Sequence, residues 1–134
     1  MRLLKAVGIL AVVVLVVLGA AFLAFAEAYR VPGNAMSPSL RPGDRILVIR
    51  FVGPVEPDRR EIVAYKVAEN RCGRGEESVF VHRVRRRDRQ GRFVMRGDNR
   101  REACDSRELG PVPRGDLIGQ VVAVYWPPSR WGFR

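Results

Sequence analysis

Residues 6–26, AVGILAVVVLVVLGAAFLAFA, hold no charge and no strong polar group. As a helix, such a run rises about 31 Å, enough to cross the hydrocarbon core of a bilayer. Its valines are poor helix formers in water. In lipid, every backbone N–H and C=O must be satisfied within the segment, and a helix does that. Arg2 and Lys5 flank one end, and Glu27 and Tyr29 the other. The positive-inside bias therefore predicts a cytoplasmic N-terminus and a domain on the far side of a cell membrane. A removable signal peptide is the competing reading, because Ala24-Phe25-Ala26 has the small-x-small form of a cleavage site. The run exceeds the roughly 7–15 residue core of such peptides, which favours an uncleaved anchor. The expected division is an anchor over 1–28 and an extracytoplasmic domain over 29–134.

Beyond Tyr29 the pattern alternates. Arg45–Arg50, Glu61–Val67, Val79–Arg87, Arg92–Arg96 and Leu117–Tyr125 read as strands. Turn clusters rich in glycine and proline separate them, and Asn70–Ser78 reads as a surface loop. With no long amphipathic helix outside the apolar run, the domain is expected to be mostly β, a folded antiparallel sheet or barrel. The formal net charge of +10 attracts anions, either nucleic acid or an anionic lipid face. The anchor argues against nucleic acid. The two cysteines, Cys72 and Cys104, form no C-x-x-C pair, so a zinc ribbon is a poor reading. A disulfide and two free thiols both remain open.

Three stretches carry chemistry. The first, Pro32 to Asp44 (PGNAMSPSLRPGD), starts just past the membrane exit. The second is Val81-His82-Arg83-Val84, where alternation puts Phe80, His82 and Val84 on one face. His82 is the only histidine, set among apolar neighbours. It is either a satisfied core residue or a base, since neutral imidazole accepts a hydroxyl proton near neutral pH. Lys66 is the alternative base and the only lysine beyond the anchor. The third stretch is Gly97 to Arg107 (GDNRREACDSR), with two aspartates, Asp98 and Asp105.

These stretches resemble the type I signal peptidase family. M-x-P-x-L-x-x-G-D over Met36–Asp44 resembles its nucleophile box, in which serine precedes the methionine. His82-Arg83-Val84 is similar to the box that reads K-R-V in most bacterial members and H-R-V in the eukaryotic ER type. Gly97–Arg107 resembles its G-D-N-R-x-x-S-x-D-S-R box, and Arg60-Glu61-Ile62-Val63 its R-G-D-I-V stretch. The resemblance implies a signal-peptidase-like antiparallel core on one transmembrane helix. It also implies an endopeptidase that removes signal peptides from exported preproteins after small residues. The partners would be signal peptides and membrane lipid, with no cofactor and no metal.

Residue by residue, the resemblance implies His82 as base, with Asp98 or Asp105 orienting it as the acid of a triad. Gly33, Asn34 and Met36 would surround the substrate carbonyl, and Asp105 with Arg107 would form a structural ion pair. The gap between His82 and Gly97 is short, as in a minimal, core-only member. One departure is Ala103, where lysine-type enzymes have a serine that bonds the lysine. The graver one is Ala35 at the nucleophile position. A methyl group cannot attack a carbonyl, and losing the nucleophile removes on the order of 10⁶ in turnover. Ala35 is thus expected to mark an engineered serine-to-alanine form or a natural pseudopeptidase, with Ser37 or Ser39 as the remaining candidate nucleophiles. A non-catalytic binding subunit and a dedicated maturation protease are the alternative functions.

Overall fold

The computed structural model describes residues 1–67, 71–73 and 78–134. One helix, α1 (Arg2–Phe25), takes up the apolar run. It is the one helix among the described residues long and apolar enough to cross a membrane, and none of its residues is buried in the fold. The chain turns into strand at Ala26, so the expected boundary at residue 28 falls inside β1 (Ala26–Arg30). β1 escaped the sequence reading because AEAYR lacks a run of β-branched residues. It forms through pairing with β2 (Arg45–Arg50), from Ala26 against Ile49 to Arg30 against Arg45.

The rest of the sheet is built from β3 (Ile62–Val67), β4 (Ser78–Arg87), β5 (Phe93–Arg96), β6 (Leu117–Trp126) and β7 (Gly132–Phe133). The order is β1-β2-β6-β3-β4-β5, with β7 also on β6, and every pairing is antiparallel. A four-residue helix, α2 (Ser106–Leu109), follows β5. Of the loop expected over Asn70–Ser78, residues 71–73 form a turn and Ser78 opens β4; the remainder lies outside the described residues.

The described domain is mostly β, a folded antiparallel sheet, as the sequence pattern implied. Register shifts interrupt β2 against β6 and β3 against β6. Each extra residue sharpens the local twist and bends the strand. Two apolar clusters fill the folded sheet. Met36, Leu40, Ile46, Val48, Ile62, Ala64, Val121 and Val124 build the first. Val63, Tyr65, Val84, Phe93, Met95, Val112 and Leu117 build the second. Burying one such side chain contributes about 1.5–3 kcal/mol, so each cluster holds its share of the sheet firmly. Met36 and Leu40 belong to the first cluster, so the loop bearing Ala35 is nailed to the core on its far side.

Candidate active site

Ala35 and His82 line one cavity of about 550 Å³, together with Gly33, Asn34 and Met36. Its other walls are Tyr29–Pro32 from β1 and its extension, and Val79–Val81 from β4. Both walls are strand edges. β1 ends the sheet. β5 pairs with β4 only from Arg83 onward, which leaves the first half of β4 unpaired on that side among the described residues. Antiparallel alternation, with Val84 bonded to the segment before β3, points the N–H and C=O of Val79 and Val81 away from β3.

The loop over 31–44 holds Ala35 by backbone bonds. Ser37 N–H donates to Asn34 O at 3.0 Å and Leu40 N–H to Met36 O at 2.9 Å. Asp44 is buried, and the Arg130 guanidinium donates to both of its carboxylate oxygens at 2.9 and 3.1 Å. Arg130 also donates to Pro38 O and Ser39 O, so the C-terminal segment clamps this loop. In the same segment Trp126, Trp131 and Phe133 are exposed.

The loop over 97–107 closes on the same alanine. Asn99 N–H donates to Ala35 O at 3.0 Å. A Cβ on Gly97 would overlap that of Ala103 and come within 2.6 Å of Ala35 O, so only glycine permits this approach. Asp105 is fully buried and caps α2 in a capping box with Glu108. It accepts from Gly97 N–H, Arg107 N–H and the guanidinium groups of Arg96 and Arg107. These donors outweigh its burial and hold its carboxyl at about 2. Cys72 and Cys104 form a disulfide across 6.3 Å between Cα atoms, and both line the cavity.

His82 is almost wholly buried, and its Nδ1 meets Tyr65 Oη at 2.7 Å. Burial pushes its pKa down to about 4, so it is neutral at pH 7. Asp105 and Asp98 raise that value and Arg107 lowers it, all at a distance. This corrects the expected triad: neither aspartate hydrogen-bonds His82. Asp105 is committed to its cap and arginines. Asp98 accepts from Arg83 Nε at 2.8 Å and from Ser39 Oγ at 2.6 Å.

Tyr65 was missed. A buried tyrosine must place its hydroxyl, but only the pairing of β3 with β4 sets Tyr65 opposite Phe80, two residues from His82. The three rings cluster with centroids 5.8–6.0 Å apart. Burial pushes the Tyr65 phenol upward, so it stays protonated.

The rival candidates fall away from the cavity. Lys66 is exposed and does not line it. Ser37 Oγ donates to Asn34 Oδ1 and Leu40 O, Ser39 Oγ is held by Asp98, and neither serine borders the cavity.

The geometry is thus an apolar cavity between two strand edges, with a neutral histidine in its wall, on a β-sheet domain that follows an apolar helix. Sequence comparison makes the class specific: the chain belongs to the signal peptidase family, peptidase S26, whose profile matches residues 2–86 and 76–126. It is 27% identical over 128 residues to mitochondrial inner membrane protease subunit 2 of Saccharomyces cerevisiae, covering 77% of this chain and 70% of that protein. It is 24% identical over 144 residues to a probable signal peptidase I-2 of Synechocystis, covering 80% and 66%. Thylakoidal processing peptidase 1 of Arabidopsis thaliana is 26% identical over 151 residues, covering 80% and 44%.

Proposed function

We propose that this chain binds signal peptides of exported preproteins at the outer face of the plasma membrane, with its N-terminus cytoplasmic, and does not cut them. Its serine form, Ala35→Ser, is the endopeptidase, cutting after small residues of the A-x-A type. The observation that carries the reading is the single cavity shared by Ala35 and His82 between two strand edges. An extended peptide adds its backbone to such edges, and small side chains suit the confined space.

In the serine form the hydroxyl at position 35 attacks the scissile carbonyl and His82 takes its proton. The amine leaves with that proton, and water then hydrolyses the acyl-enzyme. Gly33, Asn34 and Met36 surround the developing oxyanion, with the backbone N–H at position 35 as a donor. A base role needs His82 Nδ1–H donating to Tyr65 Oη, which leaves Nε2 as the proton acceptor. Asp98 and Asp105 then act through their charge and by holding the loop.

The test is cleavage of a membrane-embedded preprotein. Ala35→Ser is expected to cut it, and adding His82→Ala to abolish the cut. A folded Ala35→Ser chain that binds signal peptides but never cuts them supports a purely non-catalytic subunit. One that cuts a single partner protein supports a dedicated maturation protease.

A further inference from the structure

Along one face of β4 the side chains change character. Val79 and Val81 pack on the first apolar cluster and line the cavity of Ala35 and His82. Arg83 follows on the same face, and Arg85 is the extra residue of a bulge between Val84 and Arg86. These two arginines border a second cavity, of about 460 Å³. The loop over 97–107 borders both spaces, through Glu102 and Cys104 in the first and Gly97, Asp98 and Arg100 in the second.

Seven arginines line this second cleft, against the carboxylates of Asp98 and the buried Asp105. Asp98 holds Arg83, and Asp105 holds Arg96 and Arg107. Arg59, Arg60, Arg85 and Arg100 have no carboxylate partner among the described residues. Arg60 is also the only described non-glycine residue with positive φ, at 80°. Its N–H donates to Val84 O and its carbonyl accepts from Arg83. A long side chain in that backbone region is strained. Strain and like charge are concentrated together, and an anion relieves the second.

We propose that this arginine cleft is the subsite for the peptide segment that follows the small-residue pair, and that it selects acidic side chains there. The inference rests on the peptide-binding reading above and names its substrate class more narrowly. Beyond Val81 the edge of β4 is taken by β5, so a peptide leaving the cavity continues across the face that bears Arg83 and Arg85, about 13 Å on, where the cleft meets roughly the first four residues after the cut. Arginine forks match carboxylates in pairs, which suits Asp or Glu at two of those positions. The cleft's place beside the cavity, across the loop over 97–107 that borders both, favours a peptide over a nucleic acid or a lipid headgroup.

The experiment uses the full chain in neutral-lipid nanodiscs and labelled peptides read by fluorescence anisotropy. Three peptides share an Ala-x-Ala segment and differ only beyond it: Asp-Glu, Asn-Gln or Lys-Lys. The acidic peptide is expected to bind about tenfold tighter than the neutral one, with a gain that shrinks in high salt. Arg59→Gln/Arg85→Gln removes that gain and leaves the neutral peptide's affinity unchanged. Lys66→Gln/Arg89→Gln, which lowers net charge equally outside the cleft, keeps it. If the peptides bind alike, the cleft inference is overturned and the peptide-binding reading stands. If none binds, the reading itself fails and takes the inference with it. Should Arg59→Gln/Arg85→Gln instead weaken only binding to anionic vesicles or to single-stranded DNA, the cleft serves another anion and the proposal is wrong.

Discussion

The two loops that meet at Ala35 are built on the same device with opposite wiring. Each is held by a buried carboxylate gripped by arginine: Asp44 in the loop over 31–44, and Asp105 in the loop over 97–107. Asp105 is satisfied mostly from within its own segment, by Gly97, Arg107 and the helix it caps. Asp44 draws Arg41 N–H locally, but its charge partner Arg130 lies 86 residues away. The first arrangement is a self-contained cassette. The second makes the position of Ala35 depend on the chain's last residues. A site with one loop secured from outside can loosen there without its other wall noticing.

The largest test of that contrast is Asp105→Ala. It removes a helix cap, an acceptor for Gly97 N–H and the anion that two arginines surround. The expected loss is about 3–4 kcal/mol of unfolding free energy, read by denaturant titration. In hydrogen exchange the loop over 97–107 should open while 31–44 stays protected. Equal loosening of both loops would break the comparison.

The second test uses pH. His82 has its pKa lowered to about 4 from an ordinary 6.5, so the unfolded chain binds a proton more readily than the folded one. Its contribution is fully present above pH 6.5 and is lost as pH falls toward 4. That amounts to about 3 kcal/mol. Below that, Asp105 loses its own contribution as pH falls from 3.8 through about 2. The charges that act on His82 are Asp105, Arg107, Asp98 and Glu108, all from 97–108. Asp44→Asn should therefore leave the His82 titration in place, as followed by NMR of the imidazole. Asp105→Ala should depress it further.

A third test strikes the junction of the loops. Gly97→Ala forces a Cβ onto Ala103 and the Ala35 carbonyl. An expected loss of about 2–3 kcal/mol should be accompanied by exposure of the Asn99 amide, which bonds that carbonyl. Thermal unfolding and exchange at Asn99 measure it. A neutral outcome would mean that the loops do not press on each other.

The sequence exposed the cassette and hid the clamp, for a physical reason. Asp105 and Arg107 lie two residues apart, so the ion pair that the family resemblance implied is local, whereas the cap with Glu108 was not foreseen. The strands over 45–50 and 117–126 were legible because their apolar faces alternate, and that over 62–67 as a short apolar run buried on both faces. β1 was not, because pairing with β2 rather than residue preference makes it a strand. His82 was legible as a candidate, but its partner was not. Orienting aspartates were inferred from motif order, whereas Tyr65 reaches it through the pairing of β3 with β4. Arg130 could not be assigned to Asp44 because a contact across 86 residues leaves no periodicity.

Arg130→Ala has the smallest expected effect on stability and the sharpest meaning. Arg130 reaches Asp44 from a partly solvated position, so water enters in its place beside the buried carboxylate, which also keeps the Arg41 amide as a partner. The expected loss is about 1–2 kcal/mol, below that of Asp105→Ala. Its consequence is local: without the donors to Pro38 O and Ser39 O, exchange should rise across 36–44. The loop over 97–107 should hold its protection. In an Ala35→Ser background the same change should lower turnover more than affinity, because the peptide still finds both strand edges while the attacking oxygen loses its fixed position. Arg130→Lys should recover stability only partly, since an ammonium cannot fork to Asp44 and the two carbonyls at once. If Arg130→Ala left the exchange of 36–44 unchanged, the clamp would be a passive surface contact, and the first apolar cluster under Met36 and Leu40 would position Ala35 by itself.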